Sequence, residues 1–247
     1  MRGEGRRAGE GGVRARAALL ALLAACSGGE EPRPAPSFLD GPEDAEAAAE
    51  APLPRPEIPD GAPTVAFLAD SIGAGLHLAE DQAFPAVLQR RLAAEGVPFH
   101  LANLSESGRT TAGGVTALPW ALRSKPEVLV VGLGGNDGMR GVPLEEIEKN
   151  LRRLIEGARA AGLRVLLLGV RIPTNYGDYA QRFDALYPAL AAEYGLAFVP
   201  FYMEGVGGQF DQNLGDALHP TPAGHERLAD NVAPALRKLL AEGAAAR

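Results

Sequence analysis

Cysteine occurs once in 247 residues, which excludes an internal disulfide framework and any Cys-rich zinc site. Methionine occurs three times and aromatic residues make up 6%, too few for a platform on which successive bases stack. Positive charge is in the minority. The 24 Lys and Arg against 31 Asp and Glu leave a net charge of −7, which argues against nucleic acid as a partner. No apolar run reaches the roughly 20 residues of a membrane-spanning helix. Neither a Gly-x-Gly-x-x-Gly run nor a Walker lysine is present, which disfavours nucleotide binding. The remainder is ordinary globular chemistry, 46% hydrophobic and 22% charged, with length for one domain or at most two.

The amino terminus reads as a targeting segment. Residues 1–16 hold five arginines against two glutamates, and the apolar run AALLALLAA (17–25) follows. A basic start, a short apolar stretch and small residues at its end make a secretory signal over 1–25. Leu23-Ala24-Ala25-Cys26 resembles a bacterial lipobox, which implies cleavage before Cys26 and lipidation of its sulfur. Residues 27–62 carry eight prolines and nine acids against two arginines, with few Leu, Ile, Val or Phe. Such a stretch buries too little apolar surface to offset chain entropy. The lipidated cysteine and a disordered tether therefore occupy 26–62, with a root-mean-square span of roughly 30–40 Å on flexible-coil scaling.

From Thr64 the pattern changes. TVAFLA (64–69), VPFHLAN (97–103), EVLVVGL (127–133), RVLLLGV (164–170) and LAFVP (196–200) are apolar runs of strand length. Between them apolar residues recur at helical spacing. Leu144, Ile147, Leu151, Leu154, Ile155 and Ala158 are one example, with Pro143 at a helix start and Gly162 past its end. A last helix begins at Thr221-Pro222 and aligns Leu228, Val232, Leu236 and Leu239. Strands without polar alternation are buried on both faces. The alternation predicts an α/β fold over 63–247: a five-stranded parallel sheet with helices on both faces.

In such sheets the working site lies beyond the carboxyl ends of the strands. Those ends carry Asp70-Ser71, the loop 103–111 around Gly108, Gly134-Gly135-Asn136-Asp137, the segment RIPTNYGDY (171–179) and Asp216-Ala217-Leu218-His219. A serine hydroxyl is a weak nucleophile until a base takes its proton. His219 suits the base, and Asp216 suits the acceptor that fixes its tautomer. Charge developing on a carbonyl oxygen needs donors already in place. The Ser71 N–H, the Gly108 N–H and the Asn136 amide are the candidates. This chemistry requires no cofactor and no metal. Asp70 reads as a cap of the serine turn and Asp137 as a brace of the Asn136 loop. Arg109 reads as a solvated loop charge, with an anionic substrate group as its other candidate partner. His77, placed on the first helix, and His100, in the second strand, read as packing residues. His225 has no assigned role.

Together ADSI (69–72), Gly108 in ESGRT, GGND (134–137) and DALH (216–219) resemble the blocks of the SGNH hydrolase superfamily, also called GDSL-type esterases. LGGNDGMRG (133–141) and RIPTNYG (171–177) narrow the likeness to its bacterial thioesterase I, arylesterase and lysophospholipase subgroup. The resemblance covers roughly residues 63–240. It implies a three-layer flavodoxin-like sandwich, Ser71 as nucleophile, His219 as base and Asp216 as its orienter. It also implies an oxyanion hole from Ser71, Gly108 and Asn136, and a border of the acyl pocket at 171–179. Ala69 departs from the family's usual glycine and adds one methyl at the end of the first strand; Ile72 departs from the usual leucine.

The expected activity is hydrolysis of small acyl esters or thioesters through an acyl-enzyme. Other readings stay open. They are an O-acetyl esterase acting on envelope polysaccharide, a lysophospholipase favoured by a membrane anchor, and a non-catalytic envelope lipoprotein binding acyl chains or glycans. The expected setting is the bacterial cell envelope, periplasm-facing or extracellular, with the chain a monomer held to the membrane through Cys26.

Overall fold

The computed structural model describes residues 53–245. The signal segment, Cys26 and the tether as far as residue 52 lie outside the described residues. Residues 53–62 run without helix or strand. The Leu53 N–H donates to the Asp81 carboxylate, and the His100 ring bonds the Pro59 carbonyl at 3.1 Å.

Five strands form one parallel sheet: β1 (Thr64–Ala69), β2 (His100–Asn103), β3 (Val128–Gly132), β4 (Arg164–Leu168) and β5 (Ala197–Val199). Their spatial order is β2-β1-β3-β4-β5. The helices are α1 (Ser71–Ala74), α2 (Phe84–Ala94), α3 (Thr111–Arg123), α4 (Gly135–Met139), α5 (Leu144–Ala160), α6 (Asp178–Tyr194) and α7 (Pro222–Ala245). α2 and α7 pack together on one face, and α3, α5 and α6 on the other. This is the expected α/β sandwich.

The apolar patterns account for the layers. β3 is buried at every position, and β1 and β4 at all but their first. On α5 the six residues at helical spacing are all buried, while Glu145 and Glu146 in the first turn and Arg159 in the last complement the helix dipole. Pro143 stands one position earlier than its reading, as the residue before the helix. α7 starts where Thr221 predicts, its Oγ1 accepting the Gly224 N–H at 3.1 Å.

β2 is shorter than its run, starting at His100 rather than Val97. Pro98 has no N–H to give a ladder, and β1 begins only at Thr64, the partner of His100. β1 pairs with both β2 and β3, so the chain leaves β1 in one direction and comes back on its other side. This is the topological switch point, where an open α/β sheet forms a crevice.

Candidate active site

Strand β1 ends at Ala69, and the chain turns at once into α1. Asp70 caps that turn, its Oδ1 accepting the Ile72 N–H at 3.1 Å. Burial pushes the Asp70 carboxyl up to about 6, against the Ile72 amide and the His219 ring, which both lower it. Ser71 follows, 9% exposed. The extra methyl of Ala69 is accommodated because its neighbours lack side chains. A Cβ on Gly73 would lie 2.6 Å from it, and one on Gly132 would lie 3.3 Å away.

The Asp-x-x-His spacing has a local cause. Asp216 Oδ1 accepts the N–H groups of Leu218 and His219, both at 2.9 Å, and Ala217 takes a left-handed φ of 56°. The segment folds back so that Asp216 Oδ2 meets His219 Nδ1 at 2.6 Å. Burial raises the Asp216 carboxyl, but the bonds from the His219 backbone, its ring and the Leu218 backbone outweigh that and hold it at about 2. The other ring nitrogen, His219 Nε2, lies 2.9 Å from Ser71 Oγ. Residues 148 positions apart thus form one chain of hydrogen bonds, Ser71–His219–Asp216.

The loop after β2 brings the donors. Gly108 takes φ +78°, a backbone region where a β-carbon is strained. The Asn136 amide donates to the Arg109 carbonyl at 3.1 Å, joining this loop to α4. Asp137, 2% exposed, completes the joint by accepting the Thr111 N–H at 2.9 Å and its hydroxyl at 2.6 Å. The brace expected of Asp137 is present, and it reaches the start of α3. Gly134 permits the turn into α4 at φ +120°; a Cβ there would sit 2.0 Å from the Tyr187 hydroxyl.

Ser71, Gly108, Asn136 and His219 line one cavity of about 250 Å³. Leu76, Met139, Val170, Ile172, Met203 and Leu218 give it an apolar wall. Arg171 and Pro173 bring the expected 171–179 segment to its border. That segment is pinned from below by the Tyr176 hydroxyl on the Met139 carbonyl at 2.9 Å and the Tyr179 hydroxyl on the Val142 carbonyl at 2.6 Å.

A model of the GDSL-like Lipase/Acylhydrolase family matches residues 68–227. The chain belongs to this family. It is 45% identical over 181 residues to Esterase TesA of Pseudomonas aeruginosa, covering 72% of this chain and 90% of that protein. It is 35% identical over 181 residues to Thioesterase 1/protease 1/lysophospholipase L1 of Escherichia coli, covering 72% of this chain and 86% of that one. A solved structure of TesA superposes with a TM-score of 0.69 at 44% identity, over 71% of this chain and 99% of that chain.

Two readings change, and one unassigned residue gains a role. Arg109 is not a solvated charge. Its side chain is 11% exposed, and its guanidinium donates to the Leu104 carbonyl and pairs with Glu106. His77 is exposed in the turn after α1 and lies edge-to-face on His219, so it is not a packing residue on that helix. His225, left unassigned, is buried. Its Nδ1 accepts the N–H of Phe84 at 3.0 Å, capping α2, and burial, helped by His219, lowers it to about 4. Position along the chain does not reveal these partners: those of Arg109 lie within its own folded loop, and those of His77 and His225 come from distant segments.

Proposed function

We propose that this GDSL-family chain is a serine esterase that hydrolyses acyl esters or thioesters through an acyl-enzyme. The observation that carries the reading is the hydrogen-bond chain from Ser71 Oγ to His219 Nε2 and from His219 Nδ1 to Asp216, opening on an apolar cavity. His219 takes the Ser71 proton as the oxygen attacks the carbonyl carbon. Asp216, held ionised, accepts Nδ1–H and steadies the imidazolium. The N–H groups of Ser71 and Gly108 and the Asn136 amide receive the oxyanion. His219 then passes its proton to the leaving alcohol or thiol. Water, deprotonated by the same ring, releases the acid and frees Ser71.

The apolar wall favours an acyl chain over an acetylated sugar. A volume of about 250 Å³ lies just below the roughly 300–1,000 Å³ usual for ligand pockets, which favours short to medium chains. Butyryl and octanoyl esters and thioesters are expected to turn over faster than palmitoyl ones. Ser71→Ala is expected to lose at least about 10⁴-fold in kcat. Undiminished turnover by Ser71→Ala would remove Ser71 as the nucleophile.

The same proposal extends to location. The basic start, the short apolar run and the Leu-Ala-Ala-Cys block support a lipid anchor on Cys26, with the domain held as a monomer on a Pro- and acid-rich tether in the bacterial envelope. Cys26→Ser is expected to leave the membrane fraction; if it stays there, the anchor is wrong.

A further inference from the structure

His77 takes no part in the chemistry just described, yet the fold holds it against His219. It sits at φ +70° in the turn after α1, fixed by the Leu76 N–H on the Ser71 carbonyl at 3.1 Å and the Leu78 N–H on the Gly75 carbonyl at 2.9 Å. Its ring meets the His219 ring edge-on, with centroids 5.9 Å apart and planes at 84°. One ligand atom from each of His77, Asp216 and His219 lies within 4.8 Å of the others. We infer that these three residues form an inhibitory site for a divalent transition-metal ion, with Zn²⁺ the best fit.

Two imidazoles and a carboxylate are a nitrogen–oxygen donor set that suits zinc and leaves a fourth position for water. Around a tetrahedral ion with bonds near 2.0–2.1 Å, ligand atoms stand about 3.3 Å apart. The Asp216 Oδ2–His219 Nδ1 pair, 2.6 Å apart, opens to that spacing as the ion takes the place of the proton between them, and the exposed His77 side chain turns inward to complete the set.

The inference rests on His219 being the base, because both of its ring nitrogens are engaged. Nδ1 bonds Asp216 and Nε2 bonds Ser71. An ion on Nε2 takes the lone pair that receives the Ser71 proton. An ion on Nδ1 displaces that nitrogen's proton to Nε2, which then has no lone pair to offer. In either case the ion and the serine chemistry exclude one another. Nothing is oxidised or reduced, and removal of the ion restores the hydrogen-bond chain. The ion is an inhibitor and not a cofactor.

The test uses the full-length chain and zinc alone. Low zinc is expected to stop hydrolysis of a chromogenic butyryl ester, EDTA to restore it, and magnesium, which prefers oxygen ligands, to have no effect. His77→Asn suits the left-handed turn, and is expected to keep the basal rate while needing at least about tenfold more zinc for the same inhibition. His77→Gly is expected to behave alike. Competition against a zinc-binding dye is expected to report one ion per chain in the parent and in Ser71→Ala, and weaker binding in both His77 variants. Unchanged zinc sensitivity in the His77 variants, equal inhibition by magnesium, or no zinc bound by the parent would overturn the site. Zinc binding by a Ser71→Ala chain that still hydrolyses ester would leave the site standing and remove the proposed nucleophile instead.

Discussion

At the scale of single residues, Asp216 carries an asymmetric load. Its Oδ1 serves the backbone of its own turn and its Oδ2 serves the imidazole. An asparagine keeps the shape and can still accept the two backbone N–H groups through its carbonyl oxygen. Its NH₂ then faces Nδ1, where it donates and stabilises the wrong tautomer. The His219 ring is left with its proton on the nitrogen that faces Ser71. Asp216→Asn is therefore expected to fold normally and lose kcat by about 10⁴-fold, with KM little changed. The parent carboxyl is held at about 2, so protonation of Asp216 does not set the acid limb of the rate profile in the mildly acidic range. A parent profile whose acid limb tracks a carboxylate near its ordinary value would contradict that.

At the scale of elements, the loop from Leu104 to Thr110 is where the site depends on packing. Among the described residues, its Gly108 N–H has no hydrogen-bond partner to fix it. The loop is held by the Leu104 N–H on the Phe67 carbonyl, the Glu106 N–H on the Ala69 carbonyl and the Arg109 guanidinium on Leu104 and Glu106. The Arg109 carbonyl in turn holds the Asn136 amide. Arg109→Met fills similar space and removes only the guanidinium bonds, so two of the proposed oxyanion donors loosen together. The expected result is a fall in kcat of about 10- to 100-fold, less than outright loss of a donor, with KM nearly unchanged and Arg109→Lys between the two. A change confined to KM would make Arg109 a substrate contact instead. The sequence carried the strands because Val65 to Ala69 and Val128 to Gly132 are buried on both faces and need no partner's identity to be read. It carried the order of Ser71, Gly108, Asn136 and His219 because strand ends place loops at one edge. Arg109 was misread because its acceptor is a backbone carbonyl within a folded loop. His77 departs from its placement on the first helix because α1 ends at Ala74 and the left-handed turn that follows carries the residue out to solvent.

At the scale of the whole molecule, two buried groups pull the stability curve in opposite directions. His225 is lowered from 6.5 to about 4. As pH falls below 6.5 the unfolded chain takes up that proton first, so the fold loses stability down to about 4. Asp70 is raised from 3.8 to about 6. As pH rises above 3.8 the unfolded chain gives up that proton first, so the fold loses stability up to about 6. Each shift corresponds to about 3 kcal/mol. Their windows nearly coincide, so on acidification from about pH 6 to 4 the stability lost at His225 is offset by the stability regained at Asp70. Asp70→Asn separates them, since the amide oxygen can still accept the Ile72 N–H and carries no buried charge. The variant is expected to melt at higher temperature than the parent above pH 6, with the gap closing as pH falls toward 4. It is also expected to lose stability steeply on acidification between pH 6.5 and 4, where the parent curve is flatter. Thermal unfolding in a pH series checks both points. A gap that stays constant with pH would mean that Asp70 ionises alike in the folded and unfolded chain.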